Sequence, residues 1–115
     1  MHELSIALSI VDGVLEEATR HGPGQVDAVH VRLGRLSGVD KEALLFSYAL
    51  ASESTPLAHS RLVIEEIEVV ILCPQCRAER SATSFPLLYC SECGSLGERI
   101  VHGEELEITA LEMAA

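Results

Sequence analysis

Four cysteines arranged as two pairs are the residues of this chain whose types and spacing best suit chemistry. The first pair is C-P-Q-C at 73–76, and the second is C-S-E-C at 90–93, after thirteen intervening residues. A C-x2-C turn places two thiolates on one side of a tight loop, and two such turns complete the tetrahedral sulfur ligation that suits Zn²⁺. Gly94 follows the second pair, where a residue with positive φ fits the turn. We therefore predict a zinc site formed by Cys73, Cys76, Cys90 and Cys93.

Other uses of these cysteines fit the pattern less well. A single C-x2-C can be a thioredoxin-like redox pair, but here two pairs occur without a surrounding βαβ pattern. Iron in a four-thiolate site is an alternative, although zinc also fits soft tetrahedral ligation and needs no redox role. Because no cysteine is left over for an open position, the metal is expected to be structural rather than catalytic. The segment between the pairs has only Phe85 to Tyr89 to bury, so the metal must supply much of its stability.

A second candidate metal site lies at the amino terminus, Met1-His2-Glu3. The Met1 amine, the His2 amide and the His2 ring nitrogen can close adjacent chelate rings around one ion. A deprotonated amide is a strong-field donor that suits square-planar nickel or copper, whereas zinc gains nothing from it. Glu3 and Asp40 are acids that could complete or neutralise such a site. On chemistry alone, a histidine at position 2 is usually an exposed terminal residue, and a helix N-cap is a sufficient role for Asp40.

The elements that must position these groups begin with two predicted helices and a strand. From 3 to 20, apolar residues recur with the period of one helical face, and the segment 21–24, His-Gly-Pro-Gly, ends the helix. Asp40 is a good N-cap for a second helix over about 41–52. Between the helices, residues 26–36 alternate apolar and polar side chains, as a half-buried strand does.

Two further predicted strands, 61–71 and 105–113, flank the cysteine segment. Both change the phase of their apolar alternation, which suggests a bulge or a twist. Their position suggests a zinc module inserted at the tip of a hairpin. The expected fold class is α+β: two helices on a small three-stranded, mainly antiparallel sheet, with an inserted four-cysteine zinc-ribbon-like module. The expected domains are an α/β body at 1–71 plus 104–115 and a zinc-binding module at 72–103.

Composition and charge limit the classes of function that the chain can have. The chain has 115 residues, 48% of them hydrophobic, which is enough for one domain with a core. Eighteen acidic side chains against eight basic ones give a net charge of -10. This balance argues against nucleic acid as a partner, since such binders need Lys and Arg to displace counterions. The first apolar stretch, Leu4 to Leu15, lacks a basic flank and is too short to span a bilayer, so we expect a cytoplasmic protein without a membrane segment.

Several motifs follow one another in the order of a known family. They are Met1-His2-Glu3-Leu4-Ser5, Gly34-Arg35-Leu36-Ser37-Gly38-Val39, the two C-x2-C pairs, Cys93-Gly94-Ser95 and Gly103-Glu104-Glu105-Leu106. Together they cover nearly the whole chain, and the sequence resembles the HypA/HybF hydrogenase nickel-incorporation proteins. One departure lies in the second cysteine pair, which often carries proline after its first cysteine. Here Ser91 takes that place, and Pro74 follows Cys73 instead.

The resemblance implies a nickel metallochaperone rather than an enzyme. It implies nickel as cargo at His2, with Glu3 adjacent, and structural zinc on the four cysteines. It also implies delivery to the large subunit of nickel-iron hydrogenase alongside a HypB-type GTPase, and some members serve urease as well. We expect a monomer or a weak homodimer. The alternative is a zinc-ribbon protein-interaction module without a carrier role, whereas a metal-dependent hydrolase would need an open three-ligand site that is not found.

Overall fold

The structure, a computed structural model, describes residues 2–22, 24–82 and 87–114. In chain order its elements are α1 (Glu3–Arg20), β1 (Gln25–Gly34), α2 (Lys41–Ser52), β2 (Arg61–Ile67), β3 (Val70–Cys73), β4 (Ala78–Ser81), β5 (Arg99–His102) and β6 (Leu106–Ala114). The strands form two three-stranded sheets, in the orders β2-β1-β6 and β4-β3-β5. The α+β class is confirmed. In the described part of the chain, no helix is long and apolar enough to cross a membrane.

The first of two compact units contains Met1–Arg32, Gly38–Glu65 and Glu107–Ala115. Its core joins one face of each helix to the inner face of β1; the buried members include Ala7, Val11, Val14, Val29, Val31, Leu44 and Tyr48. The α1 residues in this set follow the helical period that the sequence predicts. Asp40 caps α2 as predicted, because its carboxylate accepts a hydrogen bond of 2.8 Å from the Ala43 amide.

The expected hairpin of the two strands that flank the cysteine segment is wrong. In the sheet of the first unit, β1 lies between β2 and β6. The physical reason is that β1 carries the most buried apolar side chains, so it takes the central position, where one face meets the core. The other two strands carry mostly exposed or half-buried residues and form the sheet edges.

The single strand expected over 61–71 is also wrong, because it is two strands in different sheets. β2 ends at Ile67 and β3 begins at Val70, so the change of apolar phase marks a break between sheets rather than a bulge. In the second sheet β3 pairs antiparallel with β4 and with β5. The second unit contains Leu33–Ser37 and Glu66–Leu106. Its cluster of buried hydrophobic residues is small and consists of Ile71, Cys73 and Cys90 among the residues described.

Gly34 and Gly103 belong to the motifs that resemble the known family. Their backbones approach each other closely in the second unit. The Leu36 amide donates to the Gly103 carbonyl at 2.6 Å, and the Gly34 amide donates to the Glu105 carbonyl at 2.7 Å. A Cβ at Gly34 would lie 2.1 Å from the Gly103 oxygen, a distance that no side chain can tolerate. The position therefore requires glycine because two backbones approach each other closely.

Candidate metal centres

The four cysteine sulfurs converge on one point of the second unit. Cys73 and Cys93 place their Sγ atoms 3.5 Å apart, and Cys76 and Cys90 place theirs 3.9 Å apart. All four sulfurs lie within 4.8 Å of one another. Bonds of about 2.3 Å from a tetrahedral metal give sulfur–sulfur edges of about 3.8 Å. The set therefore fits a four-coordinate ion, and it leaves no ligand position open for a substrate.

The two C-x2-C turns have the same backbone construction. Each is followed by a residue in the left-handed region, Arg77 with φ 54° and Gly94 with φ 77°. The amide of that residue donates back to the carbonyl of the first cysteine of its pair, at 2.8 Å to Cys73 and 2.9 Å to Cys90. Backbone amides also point at sulfur, since Cys76 N lies 3.4 Å from Cys73 Sγ and Glu92 N the same distance from Cys90 Sγ. Such donors favour thiolates over thiols.

The surroundings of the sulfurs shift their acidities in opposite directions. Hydrogen bonds from the Ser95 hydroxyl and amide lower the pKa of Cys93 to about 6. Burial raises the pKa of Cys90, but the backbone amides of Cys93 and Glu92 outweigh it, and the net shift is downward. A hydrogen bond with Cys93 is the main cause that raises the pKa of Cys76 to about 12. A metal bound to all four sulfurs must displace the Cys76 proton, so its affinity falls as the pH falls.

Arg80 of β4 supplies a positive charge to this centre. Its guanidinium donates a hydrogen bond to Cys76, which raises the pKa of Arg80, and the charges of Cys76 and Glu92 act in the same direction. Its Nε is buried and has no hydrogen-bond partner among the described residues. Four thiolates and a divalent ion carry about two net negative charges, which a neighbouring arginine partly offsets. Sequence spacing alone gives no signal for this role.

The left-handed Arg77 leads to a stability prediction. A non-glycine residue in this region costs of order 1 kcal/mol, and glycine adopts it freely. We expect Arg77→Gly to leave the metal content unchanged and to raise the free energy of unfolding of the second unit by up to about 1 kcal/mol. Hydrogen exchange of the 70–102 amides measures this. The matched control is Gly94→Ala, which imposes the same strain on the other turn and should destabilise by a similar amount. Faster exchange in Arg77→Gly would contradict the assignment of strain.

The difference between Pro74 and Ser91 has a structural reason. The Ser91 amide donates a hydrogen bond of 3.0 Å to the Ser81 carbonyl, and the two hydroxyls lie 2.8 Å apart. Proline at 91 would remove that donor. The departure from the family pattern therefore exchanges a rigid ring for a hydrogen bond, and it does not touch the sulfur ligands.

The candidate metal site at the amino terminus is described only in part, because Met1 is not among the described residues. His2 is the N-cap residue of α1; its side chain is exposed and makes no capping hydrogen bond. Glu3 accepts a hydrogen bond of 3.1 Å from the Asp40 amide, the main cause that lowers the pKa of Glu3. The Asp40 carboxylate is engaged in its cap. The Met1 amine lies outside the described residues, as do Pro23, Phe85 and Pro86, which entered the sequence predictions.

Three of the other four histidines pair with acids, and none belongs to a cluster of potential metal ligands among the described residues. His30 Nε2 meets Glu112, His21 meets Glu17, and His102 Nδ1 meets Glu105 at 2.9 Å. Across residues 2–22, 24–82 and 87–114, the four cysteines are the only group of three or more potential ligands. A nickel site at the amino terminus would therefore depend on backbone donors beside His2.

The fold and the four-cysteine centre define a small metal-handling protein, and comparison with known proteins gives its family. A model of the family described as "Hydrogenase/urease nickel incorporation, metallochaperone, hypA" matches residues 1–113. The chain belongs to this HypA family, which is one of metallochaperones and maturation factors and not of enzymes.

Individual relatives are similar over their full length. The hydrogenase maturation factor HypA of Chloroflexus aurantiacus is 49% identical, over 97% of this chain and 98% of the relative. That of Chlorobium limicola is 42% identical, over 96% and 95%. The solution structure of the Ni metallochaperone HypA from Helicobacter pylori matches with a TM-score of 0.70 and 25% identity, over 100% of this chain and 99% of the other.

Proposed function

We propose that this protein carries nickel at its amino terminus and delivers it to the large subunit of nickel-iron hydrogenase. The observation that carries the proposal is the exposure of the His2 side chain, which lies at the start of α1 and makes no capping hydrogen bond. Its neighbour Glu3 places a carboxylate on the next residue of the chain. Membership in a family of nickel-incorporation proteins supports nickel as the cargo.

The chemistry of a terminal site suits a carrier. The Met1 amine, the His2 amide and the His2 ring nitrogen would hold nickel in a square plane, with Glu3 adjacent. A carrier has to release its ion as well as bind it, and the end of a chain is readily reached by an acceptor. Asp40 is a weaker candidate for a ligand, because its carboxylate already caps α2.

The four cysteines would hold zinc as a structural ion. Their sulfur spacing fits tetrahedral thiolate ligation, and the positive charge of Arg80 fits an anionic tetrathiolate centre. The ion would stabilise the zinc-binding module, 72–103, while the body, 1–71 plus 104–115, would hold the nickel. In this proposal the cargo and the structural ion have different ligands.

The partners follow from the same proposal. The nickel would be handed to immature hydrogenase with a HypB-type GTPase taking part, in the cytoplasm, and urease is a second acceptor within the family's range. The protein would act as a monomer or weak homodimer, since a net charge of -10 on each chain opposes tight self-association. Nickel titration of the wild type against His2→Ala tests the site directly.

Proton release provides a second test of the ligands. Nickel displaces protons from the Met1 amine, the imidazole and, in a square-planar site, the His2 amide, so apparent affinity should fall steeply between pH 8 and pH 5, which we set as the limits of the titration. Calorimetry in buffers of different ionisation enthalpy measures the number of protons released. The same titration with zinc-loaded His2→Ala is the control and should release far fewer. Equal affinity at both ends of the range would count against these ligands.

A further inference from the structure

The outer edge of β6 is open along a strand of nine residues. β6 pairs with β1 on one side, and no other strand of residues 2–22, 24–82 and 87–114 pairs with its other side. An edge of this kind presents a row of backbone amides and carbonyls that can template another strand. Soluble proteins usually protect such edges with lysine, proline, a bulge or a covering element.

This edge lacks the usual protection. Residues 106–114 contain no lysine and no proline. Their two acids are engaged across the sheet, Glu107 with Arg32 at 3.3 Å and Glu112 with His30 and Arg61. Ile108 and Met113 of the same strand are 42% and 36% exposed. The strand therefore keeps apolar side chains and backbone groups available while its charges are neutralised within the sheet.

A groove runs between this edge and α1, with a volume of about 640 Å³. Ile108 and Met113 line it on the strand side, and Gly13, Glu17 and His21 line it on the helix side. Gly13 lies mid-helix, where glycine costs about 1 kcal/mol relative to alanine. A Cβ there would lie 3.9 Å from Ile108 Cδ1, an ordinary contact, so packing does not require glycine. A side chain longer than alanine at this position would enter the groove.

We propose that the outer edge of β6 and this groove bind an extended segment of a partner protein by β-strand addition. The segment would be basic, with apolar side chains at alternate positions that enter the groove. Charge complementarity selects this partner, because the chain carries a net charge of -10. A second copy would bring the same net charge of -10 and would be repelled. The surface contains no proposed metal ligand, so the inference goes beyond nickel carriage.

A peptide titration of the full-length, metal-loaded protein tests this surface. The probe is a blocked peptide of alternating valine and lysine, ten residues long, followed by amide chemical shifts and hydrogen exchange. We expect shifts concentrated in 106–114 and on the groove side of α1, with slower exchange along β6. The same peptide methylated on alternate backbone nitrogens should lose at least about tenfold in affinity, and one with glutamate for lysine should not bind.

Two substitutions at Gly13 separate groove binding from general attraction between opposite charges. Gly13→Met should fill the groove and weaken binding at least about tenfold, whereas Gly13→Ala adds one methyl group and should bind within about twofold of wild type. His2→Ala should bind the peptide normally, so failure of the nickel proposal would not affect this result. The proposal is overturned by no binding at 1 mM peptide, by equal binding of the methylated peptide, or by a dimer that forms through this groove and excludes the peptide.

Discussion

Replacing Cys73 with serine should abolish binding of the proposed zinc ion and loosen the second unit while the first unit stays folded. Cys73 is fully buried, and its sulfur lies 3.5 Å from that of Cys93. Serine cannot supply a thiolate, so three ligands and a neutral hydroxyl would face the ion. The second unit has little else to hold it together, because two of the three buried residues in its hydrophobic cluster are themselves cysteine ligands.

The first unit should survive because its core is independent of the cysteines. Ten buried residues from α1, β1, α2 and the loop after α2 form that core, and none is a metal ligand. Zinc analysis should therefore fall from about one ion per chain to near zero. Amide spectra should lose dispersion over 70–102 and keep it in both helices.

A matched control lies beside the same centre. Ser91→Ala removes a hydroxyl contact between two exposed serines at the second cysteine turn and leaves all four sulfurs in place. It should keep a full complement of zinc and a near-wild-type spectrum. If Cys73→Ser also retained one zinc per chain with an unchanged spectrum of the second unit, the proposed role of the cysteines would be wrong.

Both helices were predictable from the sequence, because the spacing of their apolar residues and the residues at their ends indicated the same bounds. The span 3–20 matches α1 and 41–52 matches α2, and Asp40 caps the second helix as its side-chain chemistry suggests. The cysteine cluster was predictable for a similar reason, since the C-x2-C spacing itself fixes two sulfurs on each turn. In each case the information lies within a few neighbouring residues.

Features that depend on distant residues were not predictable in the same way. The position of β1 between β2 and β6 depends on which strand best fills the core, and β4 and β5 are four-residue strands with no clear alternation. The change of phase within 61–71 was visible, but a bulge and a break between sheets produce the same pattern. Arg80 reaches Cys76 only because β4 folds back on β3, so its role appears only in three dimensions.

Replacing His2 with alanine should abolish specific nickel binding without a cost in stability. The His2 side chain is exposed and caps nothing, and the backbone hydrogen bond from the Ile6 amide to the His2 carbonyl, 3.2 Å long, does not involve the ring. Removing the ring therefore opens no cavity and leaves α1 its first turn. Nickel affinity should fall by at least about a hundredfold, because losing a ligand exceeds the effect of losing an outer hydrogen-bond partner.

A matched control for His2→Ala lies at the other end of the same helix, at His21. His21→Ala removes an exposed imidazole at the other end of α1, where it pairs with Glu17, and should leave nickel affinity unchanged. An amino-terminal extension should weaken nickel binding if the Met1 amine is a ligand, since it converts that amine into an amide. In both histidine variants zinc content and thermal stability should match the wild type.

The cellular consequence follows from mass action. A strain that carries His2→Ala should accumulate the protein normally but leave nickel-iron hydrogenase immature, and excess nickel in the medium should restore part of the activity. His21→Ala should support full maturation. If His2→Ala binds nickel like the wild type and supports full hydrogenase activity, the site is not at the amino terminus. The protein would then be better described as a zinc-stabilised interaction module whose terminal histidine takes no part in nickel transfer.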